Sequence, residues 1–270
     1  MPEQDSDHVR ADGKNGENGK NGKNRLLLVA HHLVVDVVSW RVILEDLDTL
    51  IRQVRLGQET ALPAKTSSWQ QWADRLRQES VSATTVEEVP YWSEQCAPVR
   101  ALPADGPTGH NTIGGSSVYE AVLGTEQGRA LLQEVPAAFN TRINDALLTA
   151  VACAVGAWTR DSHVRIDLEG HGREDLFDDI DLSRTVGWFT TISPVRLPVP
   201  TPTDLAEGLK QTKELLRRRP RQGIGYGLLA HGPDRASTEL GPPAQISFNY
   251  LGQFDATTAG GFATFSGKAG

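Results

Sequence analysis

The chain is short of cysteine, of excess positive charge and of long apolar runs, and each shortage closes off a class of protein. Its 270 residues hold two cysteines, Cys96 and Cys153, far apart and at no metal-type spacing. That spacing speaks against a disulfide framework or a zinc site and fits a reducing cytoplasm. The formal net charge is −7, and Arg217-Arg218-Arg219 is the one basic cluster. A phosphate-binding face needs many lysines and arginines together, so no nucleic-acid partner is expected. The cluster itself reads as a solvated helix end favourable to the helix dipole. No apolar run approaches the roughly 18–20 residues that cross a bilayer, and the start is too polar for a secretory signal. The expectation is a cytoplasmic chain with no membrane contact and a 39% hydrophobic content able to build a core.

What is there is unevenly spread. Residues 1–24 end in "GKNGENGKNGKN", which has almost no apolar surface to offset the entropy of ordering, so they read as a disordered arm. "RLLLVAHHLVVDVV" follows, apolar on both pleat faces, and reads as a strand over 25–35 covered on two sides. Ser39 is positioned to cap a helix to about Leu56, ended by Gly57, and "SSWQQWADRLRQ" predicts a second helix with Trp69, Trp72 and Leu76 on one stripe. A strand is expected at 116–124, then a short helix from Thr125 whose exit is marked by Pro136. The apolar helix 141–160 is followed by "HVRIDLEG", in which Val164, Ile166 and Leu168 share one face and Glu169 points away from it. An amphipathic helix at 204–218 and a strand at 244–254 complete the pattern. Strands and helices in mixed order predict an α/β sandwich.

"HHLVVDVVSW", residues 31–40, puts three ionisable side chains into that apolar run. On a strand His31 and His32 project to opposite faces, so they do not share a metal, and no metal is expected. Two readings stay open for them: hydrogen-bonded core histidines, or one structural and one facing a cleft. Asp36 is costly to bury alone, so a cation or backbone donors should hold it, and its role is read as orienting the histidine-bearing turn. "EGHGRE" (169–174) on its own reads as a strand end and a glycine turn, with His171, Arg173 and Glu174 solvated. "GIGYG" is not a G-x-G-x-x-G loop, so no nucleotide is expected, and Tyr226 reads as structural.

Five stretches in this order, "HHLVVDVVSW", "EGHGRE", "RTVGWFT" (184–190), "PRQGIGYGLL" (220–229) and "FNYLGQFD" (248–255), resemble the motif series of the epimerization domains of nonribosomal peptide synthetases. Those domains belong to the condensation-domain superfamily, which is chloramphenicol acetyltransferase-like. The resemblance runs from about Arg25 to Asp255. It implies a two-layer α/β sandwich with its N-terminal lobe truncated: an arm over 1–24, a remnant of that lobe over 25–110 and a C-terminal lobe over 111–270. It also implies L/D interconversion at the Cα of an aminoacyl or peptidyl thioester. The thioester would be held on 4'-phosphopantetheine, presented by a peptidyl carrier protein, possibly beside other synthetase modules, with no cofactor bound directly. His32 and Glu169 are the implied acid/base pair, and His31 and Asp36 orient the turn. Arg184 is read at the substrate carbonyl or against Asp-type partners, and Asn249 or Tyr250 as substrate-binding residues of the active-site channel or as core packing. Two departures stand out, Val37 where relatives carry glycine and Ser193 where many carry an aromatic residue. A β-branched residue avoids positive φ, so a distorted turn is expected at Val37. A condensation-type acyltransferase and a catalytically impaired carrier-docking fragment are the alternative readings.

Overall fold

The structure, a computed structural model, describes residues 26–104, 106, 112–201, 203–233 and 240–252; the expected arm over 1–24 lies outside them. At its centre is the alternating stretch His163–Gly170 (β1), whose Val164, Ile166 and Leu168 are buried. It pairs antiparallel with Thr191–Pro198 (β2), from His163 opposite Pro198 to Gly170 opposite Thr191, and parallel with the two-residue β3, Ser247–Phe248. The order is β2-β1-β3. Proline removes a ladder donor, and Pro194 is accommodated because β2 lies at the edge of this sheet among the described residues.

The apolar helix Ile143–Thr159 (α7) lays Leu148 and Ala152 on Val164, Ile166, Leu168, Val195 and Leu197, and Leu215 and Leu216 of Leu205–Arg218 (α8) pack on the same cluster. This is the expected helix-on-sheet sandwich. Each fully buried Leu, Ile or Val contributes about 1.5–3 kcal/mol relative to exposure, so this cluster anchors α7 to the β1–β2 pair. Among the described residues no helix is long and apolar enough to cross a membrane.

Several expectations are corrected. Residues 26–31 carry no regular structure, and His32–Val34 form a 3-10 turn, so the strand over 25–35 is not formed. Residues 116–124 form no strand either; Leu27, Val29, Val118, Tyr119 and Val122 are all exposed. Both stretches have strand composition, but strands are made by partners, and neither has a ladder partner among the described residues. The first helix, Val37–Arg55 (α1), starts two residues before Ser39, and Asp36 is its cap, accepting from the Ser39 N–H at 2.7 Å. Val37 therefore sits in a regular first turn, without positive φ or distortion. Gly57, at φ 64°, follows the end of α1.

Trp69–Glu79 (α2) begins at Ser68 with a reciprocal capping box to Gln71. The helical run from Thr125 continues as Thr125–Arg129 (α5), a π-turn at Ala130–Glu134 and Val135–Phe139 (α6), and it ends at left-handed Asn140. Pro136 lies inside this run, not at its exit, in the first turn after the widened segment that accommodates its ring. The late strand shrinks to β3, with residues 253 and 254 outside the described residues. Ala83–Val86 (α3), Val89–Gln95 (α4) and Ile224–His231 (α9) complete the helices and build two further clusters. Trp72, Leu182, Phe189, Ile224 and Leu228 form one; Trp92, Cys96, Leu229 and Leu240 form the other.

Candidate functional site

Asp36 is the hub. Its carboxylate caps α1, accepts the Phe189 N–H at 3.2 Å and pairs with the Arg173 guanidinium at 3.1 Å. Arg173 also donates to the carbonyls of Leu182 (2.8 Å) and Thr185 (2.7 Å) and to Ser39 Oγ (2.9 Å), and it stacks 4.0 Å over the Phe189 ring. Ser39 Oγ meets both the carbonyl (2.9 Å) and the N–H (3.0 Å) of Gly187. The Ser39 hydroxyl is thus used across the fold, which is why the cap falls to Asp36. Burial pushes the Asp36 carboxyl up, but the Ser39 N–H and hydroxyl, Arg173 and the Phe189 N–H outweigh it and hold the carboxyl below its ordinary value. A buried carboxylate with a guanidinium and backbone donors stays ionised.

This network joins three of the five motif stretches. "HHLVVDVVSW" supplies Asp36 and Ser39, "EGHGRE" supplies Arg173, and "RTVGWFT" supplies Gly187 and Phe189. Arg173 is accordingly not solvated, a correction to the reading of its stretch in isolation. The signal for it was the cation that Asp36 required. Two glycines make the close approach possible: a Cβ on Gly187 would lie 2.1 Å from Trp69, and one on Gly172, at φ 68°, would lie 1.6 Å from the Phe189 carbonyl.

His32 and Glu169 both lie near the C-terminal end of the "RTVGWFT" segment. His32 is exposed, and its ring stands edge-on to Trp188 with centroids 5.6 Å apart. His31 is turned elsewhere, its Nδ1 accepting the Leu33 N–H at 3.1 Å to cap the 3-10 turn. Three residues beyond Trp188, Thr191 pairs with Gly170, the neighbour of Glu169. Glu169 is half-buried and accepts from Asn249 Nδ2 at 2.6 Å, which brings in the fifth stretch, "FNYLGQFD". Asn249 and the half-buried Tyr250 follow β3 directly and are not on a strand as expected.

Arg184 is placed differently. It forms ion pairs with Asp46 and Glu45 of α1, so its charge is taken up by carboxylates of this chain. That joins "RTVGWFT" to α1 a second time. His171 accepts the Arg173 N–H through Nδ1 at 3.0 Å and lies 3.4 Å from Glu174. Tyr226 packs edge-on to Trp92 within the third cluster, with burial, Cys96 and Asp167 pushing its hydroxyl up to about 12.

The Condensation domain family matches residues 19–268. A linear gramicidin synthase polypeptide of Brevibacillus parabrevis is 47% identical over 234 residues, 86% of this chain and 3% of that protein. Surfactin synthase subunit 1 of Bacillus subtilis (strain 168) is 40% identical over 246 residues, 89% of this chain and 7% of that protein. The crystal structure of the epimerization domain from the third module of tyrocidine synthetase B is similar at 41% identity and a TM-score of 0.74, over 83% of this chain and 52% of that one. The first condensation domain of the calcium-dependent antibiotic synthetase, at 19% identity and a TM-score of 0.59, shares the fold. The chain therefore spans a small part of its curated relatives and half of the solved epimerization domain. The sandwich, the interlocked stretches and these likenesses lead to one conclusion: the chain belongs to the condensation-domain family of nonribosomal peptide synthetases.

Proposed function

We propose that the chain interconverts the L and D forms of an aminoacyl or peptidyl thioester held on the phosphopantetheine arm of a carrier protein. The observation that carries this reading is the interlock of the epimerization-type stretches: Asp36 with Arg173 and Phe189, Ser39 with Gly187, and Glu169 with Asn249. The Cα–H of a thioester is acidified by its carbonyl and still needs a positioned base. Inversion takes the proton from one face of Cα and returns one to the other, so either two acid/base groups flank Cα or one group reaches both faces; this reading takes the first. His32 and Glu169 are those groups in this reading. The Asp36–Arg173 hub orients the turn that carries His32, and Asn249 orients the Glu169 carboxylate. Tyr250 follows Asn249 at the substrate side. Condensation-type acyl transfer is the second reading, favoured by the family match, and it would use His32 without Glu169.

Incubation with an L-aminoacyl carrier in deuterated water tests this. His32→Ala and Glu169→Gln are each expected to slow deuterium wash-in at Cα by about 10²–10⁴-fold, the usual contribution of general acid–base groups. Parent rates in both variants remove the assignment.

A further inference from the structure

Among the described residues, the stretch "PRQGIGYGLL" holds the one pair of adjacent non-glycine residues at positive φ. Arg221, Gln222 and Gly223 follow one another at φ 43°, 53° and 98°. Left-handed backbone is unfavourable for two consecutive non-glycine residues and persists only where the surroundings over-determine it.

On one side the surroundings are a clamp on Arg221. Its Nε donates to Glu88 Oε1 at 2.5 Å, its Nη1 to Glu79 Oε1 at 2.7 Å and its Nη2 to Thr85 Oγ1 at 2.9 Å. Glu88 is fixed in turn by the Trp92 indole N–H at 2.8 Å, and a Cβ on Gly225 would lie 1.8 Å from the Glu88 carboxylate. The planar fork of arginine suits this three-partner arrangement, and a lysine ammonium does not reproduce it.

On the other side is the strand end that carries Glu169. A Cβ on Gly223 would lie 2.3 Å from Ser193 Oγ, and Ser193 is the register partner of Leu168. The Gln222 carbonyl lies 3.9 Å from where a Cβ on Gly170 would stand. The left-handed turn is thus wedged between the α2–α4 clamp and the last residues of β1. The geometry points to Arg221 as a positioning residue that, through the turn Gln222–Gly223, fixes the end of β1 and with it the Glu169 carboxylate for proton transfer. This rests on Glu169 acting as an acid/base group.

The test uses Gln222→Gly, which relieves left-handed strain and leaves the clamp intact, with Arg221→Lys beside it. Gln222→Gly is expected to melt no lower than the parent. Its kcat for Cα deuterium exchange is expected to fall roughly ten- to a hundredfold with KM unchanged, the scale of a small misplacement of a reacting group. Amide hydrogen exchange of Glu169–Gly172 is expected to quicken while that of α7 does not, a readout independent of turnover. Unchanged kcat, unchanged amide exchange or a lowered melting temperature in Gln222→Gly each overturns the inference. Arg221→Lys is expected to show the same kcat loss, and if it does not fold, Gln222→Gly decides alone. Glu169→Gln, run in parallel, separates the two claims. Exchange retained there sinks the acid/base reading; exchange lost there but parental in Gln222→Gly sinks the positioning role alone.

Discussion

Neutralising Asp36 should cost more than any single surface substitution in this chain. In Asp36→Asn the amide oxygen still caps α1 through the Ser39 N–H, while the amide nitrogen replaces the oxygen that accepts the Phe189 N–H, so the change removes the charge and one backbone acceptor. The Asp36 and Arg173 side chains are 6% and 8% exposed, so solvent screens neither. Removing one partner of a buried pair costs about 3–5 kcal/mol because the other charge is left uncompensated. The lower end applies, since Arg173 keeps the Leu182 and Thr185 carbonyls and Ser39 Oγ. About 3 kcal/mol corresponds to a melting temperature lower by roughly 6–12 °C in a chain of this size. Arg173→Met should cost a similar amount by leaving the carboxylate unpaired. Urea unfolding followed by circular dichroism on both singles and the double variant completes the cycle. The double should be more stable than the sum of the singles implies, by about 2–3 kcal/mol, the upper range for residues in contact. Costs that add to within about 0.5 kcal/mol refute the hub.

The same carboxylate makes stability pH-dependent. Its folded pKa is depressed, so its contribution is complete above the unfolded value near 3.9 and is lost as pH falls through the folded value; urea titrations below about pH 4 should show a loss that Asp36→Asn lacks. Gly172→Ala places a Cβ 1.6 Å from the Phe189 carbonyl at φ 68°, and the backbone must move, so the variant should lose at least the roughly 1–3 kcal/mol of a strained residue and Cα exchange along with it. Leu148→Ala empties a fully buried position between α7 and the sheet. It should cost about 2–5 kcal/mol in urea unfolding without changing the KM for carrier-bound substrate.

Much of this was legible in the sequence where one element carries its own pattern. The alternation of β1 and the stripes of α2, α7 and α8 gave their places to within two or three residues, since each buries a face that local spacing defines. Elements made by partners were not legible. Residues 26–35 and 116–124 have strand composition without a ladder partner among the described residues, and β2 hides behind Pro194, which an edge tolerates. The glycines of α9 argue against a helix until Gly225 is seen to admit the Glu88 carboxylate. At the site, the need of Asp36 for a cation followed from burial energetics alone. That the cation is Arg173, 137 residues away, is a tertiary fact. For Arg184 the sequence left the substrate carbonyl and Asp-type partners both open, and the ion pairs with Asp46 and Glu45 select the second.

The most direct test of the account is the fate of Cα. An L-aminoacyl carrier is incubated with the full chain in deuterated water, with an amine-bearing acceptor carrier present, and the amino acid is then released and resolved by chiral chromatography and mass spectrometry. The account predicts D-amino acid carrying one deuterium and no amide product. Dipeptide on the acceptor, with L configuration and protium retained at Cα, would contradict it.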